Sequence, residues 1–207
     1  MGTEITPFTG SLDGAGFVIS NVTMNGQQNM GLFGVTQGAK LFNLTLKNFH
    51  IGGDAQVGAL VGYANAQSDI SQIAVIDGYI NGYANVGGLV GSLNHASSIT
   101  NSYSIAPVQG TLNVGGLVGE ANQESILQNT YAAGRVLGDI HVGGLLGKNT
   151  FSIVSQSYFD WQTTGQNNSA GGEHKNTAEM MQATTYANWD FTTIWDITNG
   201  STYPRLR

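Results

Sequence analysis

The sequence predicts an all-β protein whose chain coils into a parallel β-solenoid of about five turns. Three observations lead to this fold class. A glycine-rich block recurs about every 28 residues, two columns of aliphatic residues keep the same step, and the apolar segments are too short for helices. The composition agrees, because 30 of the 207 residues are Gly, only 3 are Pro, and 41% are hydrophobic. A chain this apolar can bury a core, so the composition excludes a disordered protein.

The glycine-rich block has the form V-G-G-L-V-G. It occurs at 86–91 and 114–119, as V-G-G-L-L-G at 142–147, and in looser form at 57–62 and 31–34. Its leucine falls at Leu32, Leu60, Leu89, Leu117 and Leu145, so the steps are 28, 29, 28 and 28. Recurrence at this regularity is typical of a repeat protein in which one repeat makes one structural unit.

Two further columns keep nearly the same step, which makes chance recurrence of one motif a poor explanation. The first is Leu41, Ile70, Ile99, Leu127 and Val154, followed two residues later by Asn43, Gln72, Asn101, Asn129 and Gln156. The second is Met24, Ile51, Ile80, Val108 and Val136, followed two residues later by Gly26, Gly53, Gly82, Gly110 and Gly138. Each repeat therefore contains three short apolar segments separated by Gly, Asn and Ser.

Segments this short cannot form a stable sheet alone, so the chain must coil. If one repeat makes one turn, equivalent segments lie about 4.8 Å apart and pair as parallel strands. We therefore predict three short strands per coil and a right-handed β-helix of triangular cross-section. Aliphatic columns would fill the interior, Asn and Gln would form amide ladders at the bends, and glycines would occupy tight bends or positions of positive φ.

The two ends are predicted to differ. Residues 1–158 form the solenoid with an incomplete first coil, and residues 159–207 form a C-terminal cap. Within the cap, 165–172 reads as a loop and 177–182 as one short helix that begins with a Thr cap. The densest aromatic cluster follows, and we expect it to close the last coil: Trp189, Phe191, Ile194, Trp195 and Ile197. The N-terminal edge has no comparable lid, so we expect flanking domains of a larger parent chain to contact it.

Charge and composition exclude several partners. The net charge is -6, and the seven Lys and Arg residues form no cluster, so neither nucleic acid nor an anionic membrane is an expected partner. No stretch approaches the length of a membrane span. Cysteine is absent, so disulfides and thiolate metal sites cannot hold the fold. We predict no cofactor.

The G-G-L-V-G blocks, followed by a segment such as Ile99 to Ser104, resemble the GLUG repeat of large bacterial secreted proteins. The segments at 8–16, 157–160, 171–172, 177–180 and 189–191 are similar to sequences that flank such arrays. GLUG repeats occur in adhesin-like proteins, in filamentous-haemagglutinin-like proteins and in immunoglobulin A metallopeptidases. The resemblance implies an extracellular or bacterial cell-surface location without implying an activity.

The chain offers no convincing catalytic or metal site. A zinc peptidase needs paired histidines with an adjacent Glu on a helix, and the four histidines provide no such pair. Asp54 and Asp139 share a predicted loop column, but two coils separate them, which leaves the carboxylates roughly 14 Å apart, too far for a glycosidase pair. Asp13 precedes a Gly-Ala-Gly segment that reads as a turn rather than a calcium loop. We predict no catalytic residues, and any peptidase domain would lie elsewhere in a parent chain.

Exposed aromatic residues are the remaining candidates for a ligand site. The column Tyr103, Tyr131 and Tyr158 recurs at the repeat step and reads either as a platform for sugar rings or as a stack that stabilises the coils. Tyr83 and Trp161 are the residues we predict to contact carbohydrate. The register also makes a simple prediction: Glu120 and Lys148 should lie on adjacent coils and face each other.

The leading hypothesis is a non-catalytic structural or interaction module, an adhesin segment or stalk of a larger secreted or cell-surface bacterial protein. Its partners would be a host or neighbouring-cell surface protein or glycan. The alternative is a carbohydrate-binding or carbohydrate-active β-helix that acts on an extracellular polysaccharide.

Overall fold

The computed structural model describes all residues from Met1 to Arg207 and is a parallel β-solenoid with five complete coils and part of a sixth. The leucines of the glycine-rich blocks lie in successive layers. The Leu89 N–H donates to the Leu117 carbonyl at 2.9 Å, and the Leu117 N–H donates to the Leu145 carbonyl at 2.9 Å. The predicted fold class is therefore confirmed.

The strands of the solenoid follow one another in chain order, coil by coil. Coils one to three contain β1 (Ser11–Asp13), β2 (Val18–Ser20), β3 (Thr23–Asn25), β4 (Gln28–Met30), β5 (Phe33–Gln37), β6 (Lys40–Val57), β7 (Val61–Asn65), β8 (Asp69–Gly87) and β9 (Val90–Leu93). Coils four and five contain β10 (Ser98–Thr100), β11 (Tyr103–Ser104), β12 (Val108–Gln109), β13 (Leu112–Gly115), β14 (Val118–Asn122), β15 (Ile126–Gln128), β16 (Tyr131–Ala132), β17 (Val136–Leu137), β18 (Ile140–Gly143) and β19 (Leu146–Thr150). The partial sixth coil contains β20 (Ile153–Ser155) and β21 (Tyr158–Asp160).

Each coil has five paired segments, so the prediction of three strands per coil was wrong in number. We call them segments a to e, which in the fourth coil are β10 to β14. In coils two and three, segments a to d run without a break as β6 and β8. Two segments escaped the sequence pattern for different reasons. Segment b keeps no constant residue type, since it is Val18–Ser20 in the first coil, Tyr103–Ser104 in the fourth and Tyr131–Ala132 in the fifth. The glycine-rich block spans the bend between segments d and e.

The aliphatic columns fill the interior as predicted, and the bends carry the Asn and Gln column. Leu41, Ile70, Ile99 and Leu127 are fully buried. The residues two positions later all have positive φ, between 47° and 56°: Asn43, Gln72, Asn101, Asn129 and Gln156. Asn is the side chain that tolerates this left-handed region best after Gly. The corners are thus built mainly by amide residues, which leaves a different role for the glycines.

The glycines of the repeated block are required by close backbone approach and not by positive φ. A Cβ on Gly119 would lie 2.5 Å from the Asn85 carbonyl carbon and 2.7 Å from the Gly91 oxygen. Segment e therefore packs directly on the backbone of segment d of the preceding coil. None of the glycines in the three full copies has a positive φ, so of the two roles predicted for glycine, tight bends and positive φ, the second does not apply to this block.

The C-terminal aromatic cluster lies on the side of the solenoid and does not close its end. We call residues 189–207 the lateral strap. Trp195 and Trp189 pack on the outer face of segment b, where Tyr131 is 1% exposed. The Tyr131 hydroxyl donates to the Pro204 carbonyl at 2.6 Å, and Trp195 Nε1 donates to Asn101 Oδ1 at 3.4 Å. A short antiparallel pair, β23 (Trp195–Asp196) and β24 (Arg205–Leu206), holds the strap in shape.

The segment predicted as a Gly, Asn and Ser loop seals the end of the last coil. The Gly144 N–H donates to the Asn168 carbonyl at 3.0 Å, and the Ala170 N–H donates to the Leu146 carbonyl at 2.9 Å. β22 (Glu173–Lys175) then pairs in parallel with β21. The cap contains two single-turn helices where one was predicted, α1 (Trp161–Thr164) and α2 (Thr177–Met180), and a 3₁₀ turn at Ala183–Thr185. Asn176, and not Thr177, caps α2 in a capping box with Glu179.

The N-terminal end of the solenoid is open. β1 to β4 pair only with β6, so one edge of each is unpaired. The first layer of the core is only partly buried: Leu12, Ile19, Met24 and Met30. Residues 1–8 lie mainly over segment e, where the Gly34 N–H donates to the Met1 carbonyl at 2.7 Å and Phe8 packs on Phe33. They also contact segment d, where Asn29 Nδ2 donates to Glu4 Oε1 at 3.0 Å.

Candidate functional site

The one buried carboxylate of the protein is fully used in holding the cap. Asp160 caps α1, because its Oδ1 accepts the N–H groups of Gln162 and Thr163 at 2.8 and 3.3 Å. Its Oδ2 accepts the hydroxyls of Thr177 and Tyr203, each at 2.6 Å. Burial, followed by the hydrogen bond to Asp160, raises the pKa of Tyr203 to about 12. With both carboxylate oxygens hydrogen-bonded, Asp160 is a structural anchor for the strap.

The predicted contact between Glu120 and Lys148 is confirmed, and it belongs to a polar network between segments d and e. The two residues are directly paired across β14 and β19, and their side chains meet at 2.8 Å. Asn85 Nδ2 donates to both Ser92 Oγ and Glu120 Oε2 at 3.0 Å. Asn113 continues the network to Asn85 at 2.7 Å. All these side chains already have partners inside the protein, so the network fixes the register of the coils.

The tyrosine column is a buried stack beneath the strap and offers no open platform. The rings of Tyr103 and Tyr131 lie 4.7 Å apart and within 6° of parallel. Tyr158 meets Tyr186 edge to face at 5.3 Å. Burial raises the pKa of Tyr103 to about 12 and holds that of Tyr131 well above its usual range. Of the two interpretations offered by the sequence, the stabilising stack fits this position and the sugar platform does not.

Tyr83 and Trp161 lie on different coils of the solenoid. Tyr83 is 61% exposed in the bend before segment d of the third coil, and Trp161 is 39% exposed after β21 at the last coil. Trp161 lines a small cavity of about 220 Å³ with Asn167 and His174. An indole face beside an amide and an imidazole is a suitable lining for a polar ring-shaped ligand. Tyr83 has no comparable surroundings.

The register places Asp54 and Asp139 in one column, as expected. Gly53 pairs with Gly82, and Leu112 pairs with Ile140, so Tyr83 and Thr111 occupy the two coils between the carboxylates. The Asp13 carboxylate accepts the Ala15 N–H at 2.8 Å, which is the geometry of a simple turn. The structure contains no group of three His, Asp or Glu side chains placed to hold a metal ion. The helices are single turns, and none could cross a membrane.

Sequence reasoning missed one surface, a stack of four-residue turns between segment e and segment a of the next coil. The turns have the pattern Asn-x-x-Ser and occur at 65–68, 94–97, 122–125 and 149–152. Together they border an open groove of about 520 Å³ at whose end the Phe151 ring is 87% exposed. The recurrence of Asn and Ser at steps of 29, 28 and 27 was readable in the sequence. The position of Phe151 was not, because an aromatic residue in a repeat reads as part of the core.

The fold defines the chain as a parallel β-solenoid, and the comparison with solved structures agrees with that class. A solved structure, that of a "putative immunoglobulin A1 protease" from Bacteroides ovatus, superposes with a TM-score of 0.70 over 95% of this chain and 77% of that one, at 17% identity. Likeness at this identity shows a shared fold. Halomucin from Haloquadratum walsbyi is 36% identical over 78 aligned positions that cover 35% of this chain. The chain spans only 1% of the length of halomucin. No family model matches the sequence.

Proposed function

We propose that this chain is a non-catalytic structural and interaction module of a larger secreted or cell-surface bacterial protein, built from GLUG-like repeats. The observation that supports this most directly is the difference between its two ends. The C-terminal end is sealed by residues 168–175, whereas four strands and a half-buried apolar layer are open at the N-terminal end. An open parallel edge is a template for another coil, because both its backbone groups and its aliphatic columns lack partners on one side.

The similarity to halomucin and to the Bacteroides structure supports a location at or beyond the cell surface. The chemistry of the chain supports a passive role. Its histidines lie in different parts of the fold, at His50 in β6, His95 in a turn, His141 in β18 and His174 in β22. Its buried carboxylate is committed to structural bonds. A module of this kind acts by rigid stacking and by presenting surface loops.

The open edge can be tested by adding one coil. The variant carries a second copy of residues 98–125 in place of residues 1–10, joined directly to Ser11. The added coil is then in register, because the first residues of successive coils occupy one column: Ser11, Lys40, Asp69, Ser98 and Ile126. We expect the extended protein to unfold in one transition at a higher urea concentration and with a larger m-value, since more surface is buried. The matched control carries Ile99→Asp and Val108→Asp in the added coil only. An unchanged m-value and midpoint for the intact graft would contradict the proposal.

The non-catalytic part of the proposal has its own test. Because the Bacteroides structure carries the name of an immunoglobulin A1 protease, we would incubate this chain with immunoglobulin A1 and follow the heavy chain by mass spectrometry. We expect the antibody to remain intact. Cleavage that increases with the amount of this chain, and that Asp160→Asn or His174→Ala removes, would overturn the assignment.

A second candidate function is carbohydrate binding, and the cavity beside Trp161 favours it. Asn167 and His174 provide hydrogen-bonding groups next to the indole face. Trp161→Ala should then weaken retardation in polysaccharide-containing gels, with Tyr83→Ala as the comparison at the other predicted residue. Retardation that neither substitution changes would remove both residues from the candidate site.

A further inference from the structure

The Asn-x-x-Ser turns share a fixed frame. In the first three, the Ser N–H donates to the Asn carbonyl, at 3.2 Å for Ser68, 3.2 Å for Ser97 and 3.3 Å for Ser125. These three serines are buried. In the fourth turn the Asn149 side chain accepts the Ser152 N–H at 2.9 Å instead. The outer residues of each turn are therefore structural, and they hold the two central residues at the surface in every coil.

The central residues differ from turn to turn. They are Ala66 and Gln67, His95 and Ala96, Gln123 and Glu124, and Thr150 and Phe151. In the first three turns both have positive φ, between 49° and 64°, the arrangement of a type I′ turn. Such turns ordinarily use Gly, Asn or Asp. The outer Asn and Ser of the turns are constant, whereas the two central residues vary. Repeat proteins that bind ligands through their loops show the same combination of a constant scaffold and variable loop residues.

The groove along these tips is lined by side chains that have no partner in the protein. Gln67, His95, Gln123 and Glu124 are exposed and form no hydrogen bond or ion pair with their side chains, and Ala96 lies between them. The network between segments d and e is the opposite case, since all its polar groups are paired. The turns are stacked at about 4.8 Å per coil, so the free amide, imidazole and carboxylate groups form a row parallel to the solenoid axis.

Phe151 ends this row in a costly conformation. Its φ is 62°, which costs a non-Gly residue of order 1–3 kcal/mol, and its ring is 87% exposed, so no burial offsets the cost. Ile153, on the first strand of the next coil, is also exposed. The flat ring therefore stands at one end of a row of planar polar groups.

We propose that this groove, from Gln67 to Phe151, is a binding site for a neutral polysaccharide whose chain runs along the solenoid axis. The apolar C–H face of a pyranose ring can pack on the Phe151 ring, and the planar side chains can bind its hydroxyls as donors and acceptors. The groove contains no Lys or Arg and the chain carries a net charge of -6, which disfavours polyanions. One aromatic ring among polar groups also falls short of the apolar centre that a protein partner needs. The site is separate from the cavity at Trp161.

Affinity electrophoresis of the full chain tests the site. The probes are three neutral polysaccharides, laminarin, mannan and glycol chitin, with dextran sulfate as the anionic comparison. We expect retardation by at least one neutral probe, reduced at least tenfold in apparent affinity by Phe151→Ala and reduced also by Gln123→Ala. Phe17→Ala is the matched control, because Phe17 is likewise strongly exposed, at 74%, but lies in the first coil.

Each other outcome counts against the site. Absence of retardation by all three neutral probes would overturn the proposal, as would retardation by dextran sulfate alone. Binding lost in Trp161→Ala but kept in Phe151→Ala would place the glycan in the cavity beside Trp161 and refute this groove. Circular dichroism and urea midpoints of the variants separate loss of binding from loss of folding. None of these binding results affects the coil-addition test of the open N-terminal edge.

Discussion

A single methyl group added at Gly119 should damage the solenoid more than one added at a glycine with positive φ. The new Cβ of Gly119→Ala would lie 2.5 Å from the backbone of Asn85 and Val86 and 2.7 Å from the Gly91 oxygen. All these atoms are backbone atoms held by the pairing of coils, so they cannot move aside. Overpacking in a close-packed interior costs about 1–3 kcal/mol, and we expect about 3 kcal/mol here because no flexible side chain can give way.

Two other glycines separate the possible causes. Gly16 has nothing within 4 Å of its Cβ position but a φ of +75°, so Gly16→Ala should cost about 1–2 kcal/mol through backbone conformation alone. Gly10 has ordinary φ and only the flexible Phe8 ring nearby, at 3.1 Å, so Gly10→Ala should stay within about 0.5 kcal/mol of the parent.

The assay is urea and thermal unfolding followed by circular dichroism. For a chain of this size a loss of about 3 kcal/mol lowers Tm by about 6–12 °C. We therefore expect the order Gly119→Ala, Gly16→Ala, Gly10→Ala from most to least destabilised. If Gly16→Ala proves more damaging than Gly119→Ala, the glycines of the repeated block are needed for conformation and the close-approach argument is wrong.

Three further predictions concern the turns, the strap and the register. Ala96→Gly should raise the free energy of unfolding by about 0.5–1 kcal/mol, because Gly relieves a left-handed Ala at some entropic cost, and a lower urea midpoint would contradict this. The pKa of Tyr103 and that of Tyr203 are both raised to about 12 in the folded protein, so the stability they contribute is complete below pH 10 and is lost as the pH rises from 10 through 12. For Tyr103 the free energy of unfolding should fall by about 2–3 kcal/mol over this range, which urea unfolding at stepped pH measures. If the absorbance of all the tyrosinates appears near pH 10, the raised pKa values are wrong. Lys148→Met should cost about 1 kcal/mol by leaving the Glu120 carboxylate, 14% exposed, without its cation, and a double-mutant cycle with Glu120→Gln should show a coupling that falls in high salt.

The repeat arithmetic was enough to predict the coils, their parallel pairing and even the contact of Glu120 with Lys148. It could do so because equivalent residues of a solenoid lie above one another, which turns spacing in sequence directly into contact in space. It could not predict the number of strands in a coil. The bend inside V-G-G-L-V-G depends on how closely two backbones approach, and that distance leaves no periodic pattern in the sequence.

The strap and the groove lay beyond sequence reasoning for other reasons. The aromatic residues around Trp195 were recognised as a lid, but spacing cannot tell an end from a side. The tyrosine column could have indicated the side position, because an outward-facing stack of aromatic rings would leave a large apolar patch exposed unless another segment packed on it. Nothing in the sequence indicated that Phe151 is exposed, because an aromatic residue in a repeat is usually part of the core. Only its exposure and its positive φ in the structure distinguish it from a core residue.

The lateral strap changes how the molecule responds to pulling. Coils that touch only their neighbours would peel away one at a time, but Trp195 contacts Asn101, 94 residues earlier, and Pro204 contacts Tyr131, 73 residues earlier. Tension applied at Arg207 must therefore strip the strap from the tyrosines before it reaches any coil. Under a pulling force, those contacts would break first and leave the coils beneath the strap intact.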